Sequence, residues 1–216
     1  MNSFLVNIIS GLSILIPAFL IFIRRRRISS IYYPFAILLW VGAFNEILSL
    51  TLIMNGYSNL INANIYVLIE CIIIIIQFSV WNYWPVRTKY ILLFCAVIVW
   101  ILDNLIFHTI DSNNSLFRMI YSAVVLGLSM SVLSRTLLTE YRPVRKHPTI
   151  LICFSFIIYY ASKAYAESFN VFHLNVDMRF YYNLWIILSV VGLFSNIIYI
   201  AAVLCIPRKM PLTIPY

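Results

Sequence analysis

The sequence predicts an all-α integral membrane protein: a bundle of seven transmembrane helices with its N-terminus outside and its C-terminus in the cytoplasm. Of the 216 residues, 63% are hydrophobic and only 10% are charged, and the mean hydropathy is +0.95. Soluble domains carry about 25% charged residues, whereas here polar residues are confined to short gaps between apolar runs. This composition excludes an ordinary soluble protein. The formal charge of +8 is therefore attributed to membrane topology and not to nucleic-acid binding.

The first four spans end at polar, basic or proline-containing segments. A span needs about 20 apolar residues to cross roughly 30 Å of hydrocarbon. The first run ends at the arginines 24–27, and the second begins beside Pro34 and ends at the polar gap 55–59. The third ends just before Pro85. Proline is tolerated in the first turn of a helix, where its missing N–H leaves no bond unmade. The predicted spans are 4–23, 33–54, 65–81 and 90–107.

The last three spans are bounded in the same way. The turn-forming gap 111–114 separates the fourth span from the fifth, Pro148 lies in the first turn of the sixth, and Pro207 follows the seventh. Such short gaps make neighbouring spans antiparallel, and none of them can hold a second domain. Residues 1–216 are therefore predicted to form a single transmembrane domain. The predicted spans are 116–138, 149–166 and 180–206.

The basic residues set the predicted orientation. Lys and Arg resist translocation, and an outside N-terminus places twelve of the 15 on the cytoplasmic side, one (Arg179) outside and two (Arg118 and Lys163) within spans. The first apolar run precedes its arginines, the reverse of a cleavable signal peptide, and is predicted to be retained. The twelve predicted cytoplasmic residues are Arg24, Arg25, Arg26, Arg27, Arg87, Lys89, Arg135, Arg142, Arg145, Lys146, Arg208 and Lys209.

Ionisable residues inside the spans indicate a functional site. They are Glu46, Glu70, Asp103, Arg118 and Lys163. At about 1.5 Å per residue, four of them lie about 6 to 9 Å from the outer ends of their spans, and Glu46 lies about 18 Å from the inner end of its span. All five thus fall in the outer half of the membrane. Because an unpaired charge there costs about 3 kcal/mol, we expect them to meet in one inward-facing network with one acid in excess.

Other polar and aromatic side chains share helical faces with these five, since residues three or four apart lie on one side of a helix. Span three carries one such face with Tyr66, Glu70 and Gln77, and span five carries another with Arg118, Ser122 and Ser129. Span seven has a polar or small-residue stripe formed by Tyr182, Trp185, Ser189, Gly192, Asn196 and Tyr199. The predicted ligand-binding or polar-network residues are Glu46, Glu70, Asp103, Arg118, Lys163, Asn45, Tyr66, Asn104, Ser122 and Trp185.

A structural role is the alternative for part of this set. Arg118 and Lys163 lie near enough to the outer interface to extend into lipid headgroups. Stripes of serine and glycine often serve helix packing. The acids favour a functional role more strongly, because short Asp and Glu side chains do not reach the interface from such depths.

Catalytic, metal-binding and cofactor motifs are not apparent in the sequence. The cysteines Cys71, Cys95, Cys153 and Cys205 are isolated within apolar runs and are predicted to be packing residues. His108 and His173 lie at outer helix ends without metal-binding spacing. The five glycines form no nucleotide-binding or serine-hydrolase motif. We therefore expect no metal and no cofactor, and the sequence favours a role other than catalysis.

Four short motifs carry a resemblance to a known group of proteins. They are Asn45-Glu46 in span two, residues 66–70 in span three, 158–162 in span six and 196–199 in span seven. Together they resemble a widespread set of small, uncharacterised bacterial seven-helix integral membrane proteins. The resemblance covers most of the chain and implies a location in the bacterial inner membrane. It implies no particular activity.

The leading functional hypothesis is a binding or sensory membrane protein with an outward-facing polar pocket. Its expected partners are the lipid bilayer, an unidentified small ligand and a cytoplasmic or membrane signalling partner. One alternative is a small secondary transporter, favoured by inward-directed carboxylates and a faint similarity of spans one to three to spans five to seven. Another is a lipid-modifying enzyme in which Asp103 and Glu70 act as acid and base.

Overall fold

The computed structural model describes residues 3–82, 84–139, 147–172 and 177–207, excepting the side chains of residues 3, 4, 27 and 139. Eight α-helices account for most of these ranges. In chain order they are α1 (Ser3–Leu12), α2 (Leu15–Arg24), α3 (Tyr33–Met54), α4 (Leu60–Asn82), α5 (Val86–Ile101), α6 (Ser115–Thr139), α7 (Pro148–Val171) and α8 (Met178–Cys205).

Seven segments within the described ranges are long and apolar enough to cross a membrane, which confirms the predicted all-α, seven-span fold. Helices α1 and α2 together form the first span, and a π-helical turn at Leu102–Phe107 completes the fourth after α5. The spans are Leu5–Arg24, Ser30–Met54, Leu60–Asn82, Val86–Phe107, Ser115–Leu138, Pro148–Val171 and Met178–Cys205.

The outer surface of the bundle is apolar. Phe44 in α3 and Phe94 in α5 are 68% and 66% exposed, and exposed isoleucines and leucines surround them on the other helices. None of the residues of α5 is buried. Soluble monomers rarely expose apolar surface so continuously, whereas the hydrocarbon of a bilayer solvates it without cost. The protein is a multi-pass membrane protein.

The apolar core fills one half of the bundle. Phe35 near the start of α3, Phe78 near the end of α4 and Phe156 in the first half of α7 are fully buried. The rings of Phe78 and Phe156 lie 6.1 Å apart between centroids. These positions share the end of the bundle where α2 terminates in Arg24, whose guanidinium donates to the carbonyl of Val203 near the end of α8. The opposite half is left for polar side chains.

A proline interrupts the first span. Pro17 lacks the N–H that would bond to the carbonyl of Ser13, four residues earlier. That carbonyl accepts a hydrogen bond from the N–H of Ile16 instead, at 3.3 Å. The helix consequently breaks at Ser13 and Ile14, between α1 and α2.

The span boundaries differ from the sequence prediction by up to five residues, and the two largest differences are at the third and sixth spans. The third span begins at Leu60 instead of residue 65, and the sixth continues to Val171 instead of ending at residue 166. Because α7 continues, Glu167 lies inside a helix and not at the water interface. Of the predicted cytoplasmic residues, five lie outside the described ranges: Arg142, Arg145, Lys146, Arg208 and Lys209.

Candidate ligand-binding cavity

Two adjoining chambers occupy the half of the bundle opposite the apolar core. Their volumes are about 290 Å³ and 390 Å³. Both are bordered by the same six residues, contributed by α1, α3, α4, α7 and α8, so we treat them as one cavity. The shared residues are Asn7, Glu46, Tyr66, Tyr159, Trp185 and Leu188. The first chamber extends inward to Asn196 and Tyr199, and the second extends to Asn59 at the end of the bundle.

Lys163 is held inside the bundle by a carboxylate and aromatic rings. Its Nζ lies 3.4 Å from Oε2 of Glu70, and Tyr66 donates to the other oxygen of this carboxylate at 3.2 Å. The Nζ also lies 5.4, 5.7 and 5.6 Å from the ring centroids of Tyr121, Tyr159 and Tyr160. A cation within about 6 Å of a ring face is attracted by the ring quadrupole. Lys163 is 8% exposed, so it pairs within the bundle and does not extend into lipid headgroups.

A second ion pair joins α6 to α7 at the edge of the cavity. Nη1 of Arg118 lies 3.7 Å from Oε1 of Glu167, which is 1% exposed. Nη2 of Arg118 donates to the side-chain oxygen of Asn64 at 2.7 Å, and Asn170 donates to Glu167 at 3.2 Å. Arg118 is therefore also paired inside the protein.

Glu46 is the acid without a cation. Its carboxylate borders both chambers and is partly exposed to them, and no described residue forms a hydrogen bond or ion pair with it. Helix α1 passes this carboxylate closely at Gly11, where any Cβ would collide with Oε2 of Glu46. A side chain at position 11 would therefore displace the end of the Glu46 side chain.

Among the described residues that border the cavity, the acidic residues outnumber the basic residues by one. Two of the three acids, Glu70 and Glu167, are paired with Lys163 and Arg118. Glu46 remains. An excess of one acid is what the sequence predicted, but the third acid of the set is Glu167 and not Asp103.

Asp103 lies in a different environment, at the π-helical end of the fourth span. It is 0% exposed and does not border either chamber. Its Oδ2 accepts from the N–H of Phe117 in the first turn of α6 at 2.8 Å, and its Oδ1 lies 3.0 Å from Nδ1 of His108. Asn104 accepts from the Asn114 side chain at 2.8 Å. These residues fix the connection between the fourth and fifth spans and do not join the network expected for Asp103.

The remaining predicted site residues divide between the cavity and the packing. Asn45 borders the second chamber and accepts from Asn62 at 2.9 Å, and Trp185 borders both chambers. Ser122 is fully buried and donates to the Arg118 carbonyl at 2.6 Å, so it does not contribute to the cavity wall. Gln77, expected on the same face as Glu70, instead bonds the backbone of Phe35 and Ile31 near the start of α3.

The stripe predicted in span seven forms the α8 wall of the first chamber. Five of its members border that chamber: Trp185, Ser189, Gly192, Asn196 and Tyr199. Tyr182 instead is 49% exposed. Ser10 of α1 donates to the carbonyl of Ser189, and Asn196 donates to the Ser13 hydroxyl at 2.7 Å. The polar stripe therefore lines the cavity and also attaches α8 to the broken first span.

No family model, curated protein or solved structure matched the chain.

Sequence reasoning missed several cavity residues whose spacing could have revealed them. Tyr159 and Glu167 lie four residues before and four residues after the predicted Lys163 along α7, which places all three on one face. Glu167 lies one residue beyond the predicted end of span six. Asn7 and Ser10 of α1 also border the cavity and stand three residues apart in an otherwise apolar run. His173 lies outside the described residues.

The cavity offers a defined set of chemical contacts. It presents one carboxylate that lacks a partner, two ion pairs, four tyrosine side chains and one tryptophan side chain. Volumes near 300 Å³ and above are typical of small-molecule sites. The arrangement is suited to reversible binding of a small polar molecule.

Proposed function

We propose that the protein is an integral membrane binding protein that takes up a small ligand in this cavity and acts as a sensor through a partner. The single observation that carries the proposal is the Glu46 carboxylate, which borders both chambers without a counter-charge. Burying a carboxylate without a partner is costly. A purely structural polar network would be satisfied internally, as Asp103 and Gln77 are. We therefore propose that the Glu46 carboxylate binds the ligand.

The cavity is proposed to face outward. Asn7, Glu46 and Trp185, which border both chambers, lie near the start of the first span, in the second half of α3 and in the first half of α8. These positions are far from the arginines 24–27 and from Arg87, which favour the cytoplasmic side. A ligand would then enter from outside. The short cytoplasmic segments leave signalling output to a partner protein. We place the protein in the inner membrane of a bacterium, on the resemblance of its short motifs.

Accessibility of the cavity tests the proposal. In a variant whose four cysteines are replaced by serine, we introduce Ser189→Cys at the cavity wall and add a membrane-impermeant thiol reagent to intact cells. Ser189 is partly exposed and lines the first chamber, so labelling is expected. The matched control is Ser129→Cys, because Ser129 is fully buried and should stay unlabelled. Absence of labelling at position 189 from the outside contradicts an outward-facing binding cavity.

A secondary transporter is the second candidate, favoured by the broken first span. Discontinuous helices at the substrate site are a recurrent feature of secondary transporters, and here Ser10 and Gly11, just before the break, border the first chamber. Asn196→Cys reports on the inner end of that chamber. A transporter should allow its labelling from outside in intact cells and from inside in inverted vesicles. Labelling restricted to one side contradicts transport and leaves binding.

The lipid-modifying enzyme gains no support from the geometry. That hypothesis required Asp103 and Glu70 to act as acid and base on one substrate. Asp103 is engaged by Phe117 and His108, whereas Glu70 is paired with Lys163 in the cavity. We do not propose it further.

A further inference from the structure

We infer that the ligand of the cavity is a small organic ammonium ion, bound through its positive charge to Glu46 and through its alkyl groups to the surrounding aromatic rings. This inference rests on the proposed binding function and names the chemical class of the ligand. It follows from the charge of the cavity, from the rings around Glu46 and from the shortage of oxygen ligands for a metal ion.

The charges of the lining residues favour a positively charged ligand. Lys163 and Arg118 are each paired with a carboxylate, at 3.4 Å and 3.7 Å. Among the described acidic residues that line the cavity, only Glu46 is not paired with a cation. A monovalent cation in the cavity is attracted by this carboxylate, while an anion is repelled.

The aromatic rings select an organic cation. Tyr66, Tyr159 and Trp185 border both chambers, as Glu46 does. Ammonium groups bind favourably over the faces of tyrosine and tryptophan, and aromatic cages are a recurrent way to recognise quaternary ammonium. The protein already uses this contact internally, because the Lys163 ammonium lies within 6 Å of three tyrosine ring centroids.

A metal ion fits this site poorly. Calcium takes six to eight oxygen ligands and magnesium about six, preferably from several carboxylates and carbonyls. Glu46 supplies one free carboxylate, and the neighbouring Glu70 is held by Lys163 and Tyr66. No group of three or more acidic, histidine or cysteine side chains positioned to hold a metal occurs within the described ranges. One carboxylate and several rings match a soft, weakly hydrated organic cation better.

Binding of defined probes tests the inference on the whole protein in lipid nanodiscs. The probes are tetramethylammonium, choline, the uncharged carbon isostere of choline (dimethylbutanol) and the zwitterion betaine, each compared with sodium chloride of equal ionic strength. The readouts are thermal stabilisation of the unmodified protein and protection of Ser189→Cys from the thiol reagent. We expect the two cations to stabilise and protect, while dimethylbutanol, betaine and sodium do neither.

Variants assign the effect to Glu46. Glu46→Gln should weaken cation binding roughly tenfold or more, because the cation loses its counter-charge in the cavity. Since Glu46 has no internal partner, this variant should fold at least as stably as the original. The matched control is Asp111→Asn at the same end of the bundle. Hydrogen bonds from Thr109 and its own backbone lower the pKa of Asp111, so this variant removes an ionised carboxylate outside the cavity and should bind the cations unchanged.

Two further variants keep the charge and change its surroundings. Gly11→Ala places a Cβ against the Glu46 carboxylate and should weaken binding by displacing it. Tyr159→Leu should weaken binding on the order of three- to thirtyfold, whereas Tyr159→Phe, which keeps the ring, should retain it.

The outcomes separate this inference from the proposed function. If position 189 is labelled but no cation protects it, or if dimethylbutanol or betaine binds as well as choline, the cation inference is wrong while an accessible binding cavity remains. Unchanged cation binding in Glu46→Gln would also contradict the cation inference. If position 189 is not labelled at all, the proposed function itself fails.

Discussion

Lys163 illustrates why the depth of a residue in the membrane does not determine whether its side chain extends to the lipid headgroups or pairs within the protein. Its distance from the span end allowed either extension into headgroups or an internal pair. The structure contains the pair, with Glu70 at 3.4 Å and three tyrosine rings around the ammonium. The partners of this α7 lysine come from three helices: Glu70 from α4, Tyr121 from α6, and Tyr159 and Tyr160 from α7 itself. The position of the charge is therefore fixed by helix packing.

Removing one member of the Lys163–Glu70 pair should lower the stability of the fold. Lys163→Met leaves the Glu70 carboxylate buried without a cation, and breaking a buried pair costs about 3 to 5 kcal/mol. Lys163→Met combined with Glu70→Gln removes both charges and should restore most of that stability. Reversible unfolding in mixed detergent measures both variants. If Lys163→Met alone were as stable as the original protein, the Lys163–Glu70 pair would be solvated.

The acids show how far the sequence could predict the site. Helix rise gives the depth of Glu46, Glu70 and Asp103, and the three do occupy one half of the bundle. Depth says nothing about the direction in which a side chain points around its helix. Asp103 shares the predicted depth but faces the start of α6, whereas Glu167 was assigned to the span end and faces the cavity region. The missing information was the rotation and packing of each helix.

At the scale of elements, regular spans were predictable and irregular ones were not. Apolar length predicted all seven spans, and the steps of three and four in span seven predicted the wall that α8 contributes. The break between α1 and α2 follows from Pro17, a local signal inside an otherwise uniform run. The π-helical turn at Leu102–Phe107 depends on contacts of Asp103 and Asn104 with the next span, which are not encoded in the local pattern.

Replacing the proline should repair the first span. Pro17→Ala restores an N–H for the Ser13 carbonyl, and alanine is preferred over proline in a helix interior by up to about 3 kcal/mol. We expect higher thermal stability and slower amide hydrogen exchange across residues 13–18. The control is Pro34→Ala, because Pro34 lies in the first turn of α3, where proline costs little. Equal exchange in the original and Pro17→Ala proteins would mean that the break has another cause.

At the scale of the whole molecule, the two halves of the bundle have different roles. One half is filled by interlocking aromatic side chains, where the ring of Phe156 lies 6.1 Å from that of Phe78. Tyr160 and Tyr199, 5.7 and 6.1 Å from Phe156, lie between this half and the first chamber, which they border. The other half contains the cavity. The packed half can hold the helices in position. The cavity lowers the stability of the fold because its polar groups are kept apart, and the packed half offsets this loss.

A pair of phenylalanine truncations tests this division. Phe156→Ala in the packed half should destabilise the protein by about 3 to 5 kcal/mol, because a large buried side chain is lost. Phe94→Ala on the outer face of α5 should cost less than about 1 kcal/mol, since lipid replaces the lost contacts. Unfolding midpoints in the same detergent give the comparison. Similar costs at both positions would contradict the assignment of Phe94 to the lipid surface.

The attachment of the first span to α8 also has a consequence for biosynthesis. The Ser10 hydroxyl donates to Ser189, and the Ser13 hydroxyl accepts from Asn196, across about 180 positions of sequence. Until the ribosome has delivered those distant residues, Ser10 and Ser13 of the first span lack these hydrogen-bond partners in α8. The cavity is therefore completed last, because a nascent chain that ends before residue 189 has not yet supplied most of the α8 wall.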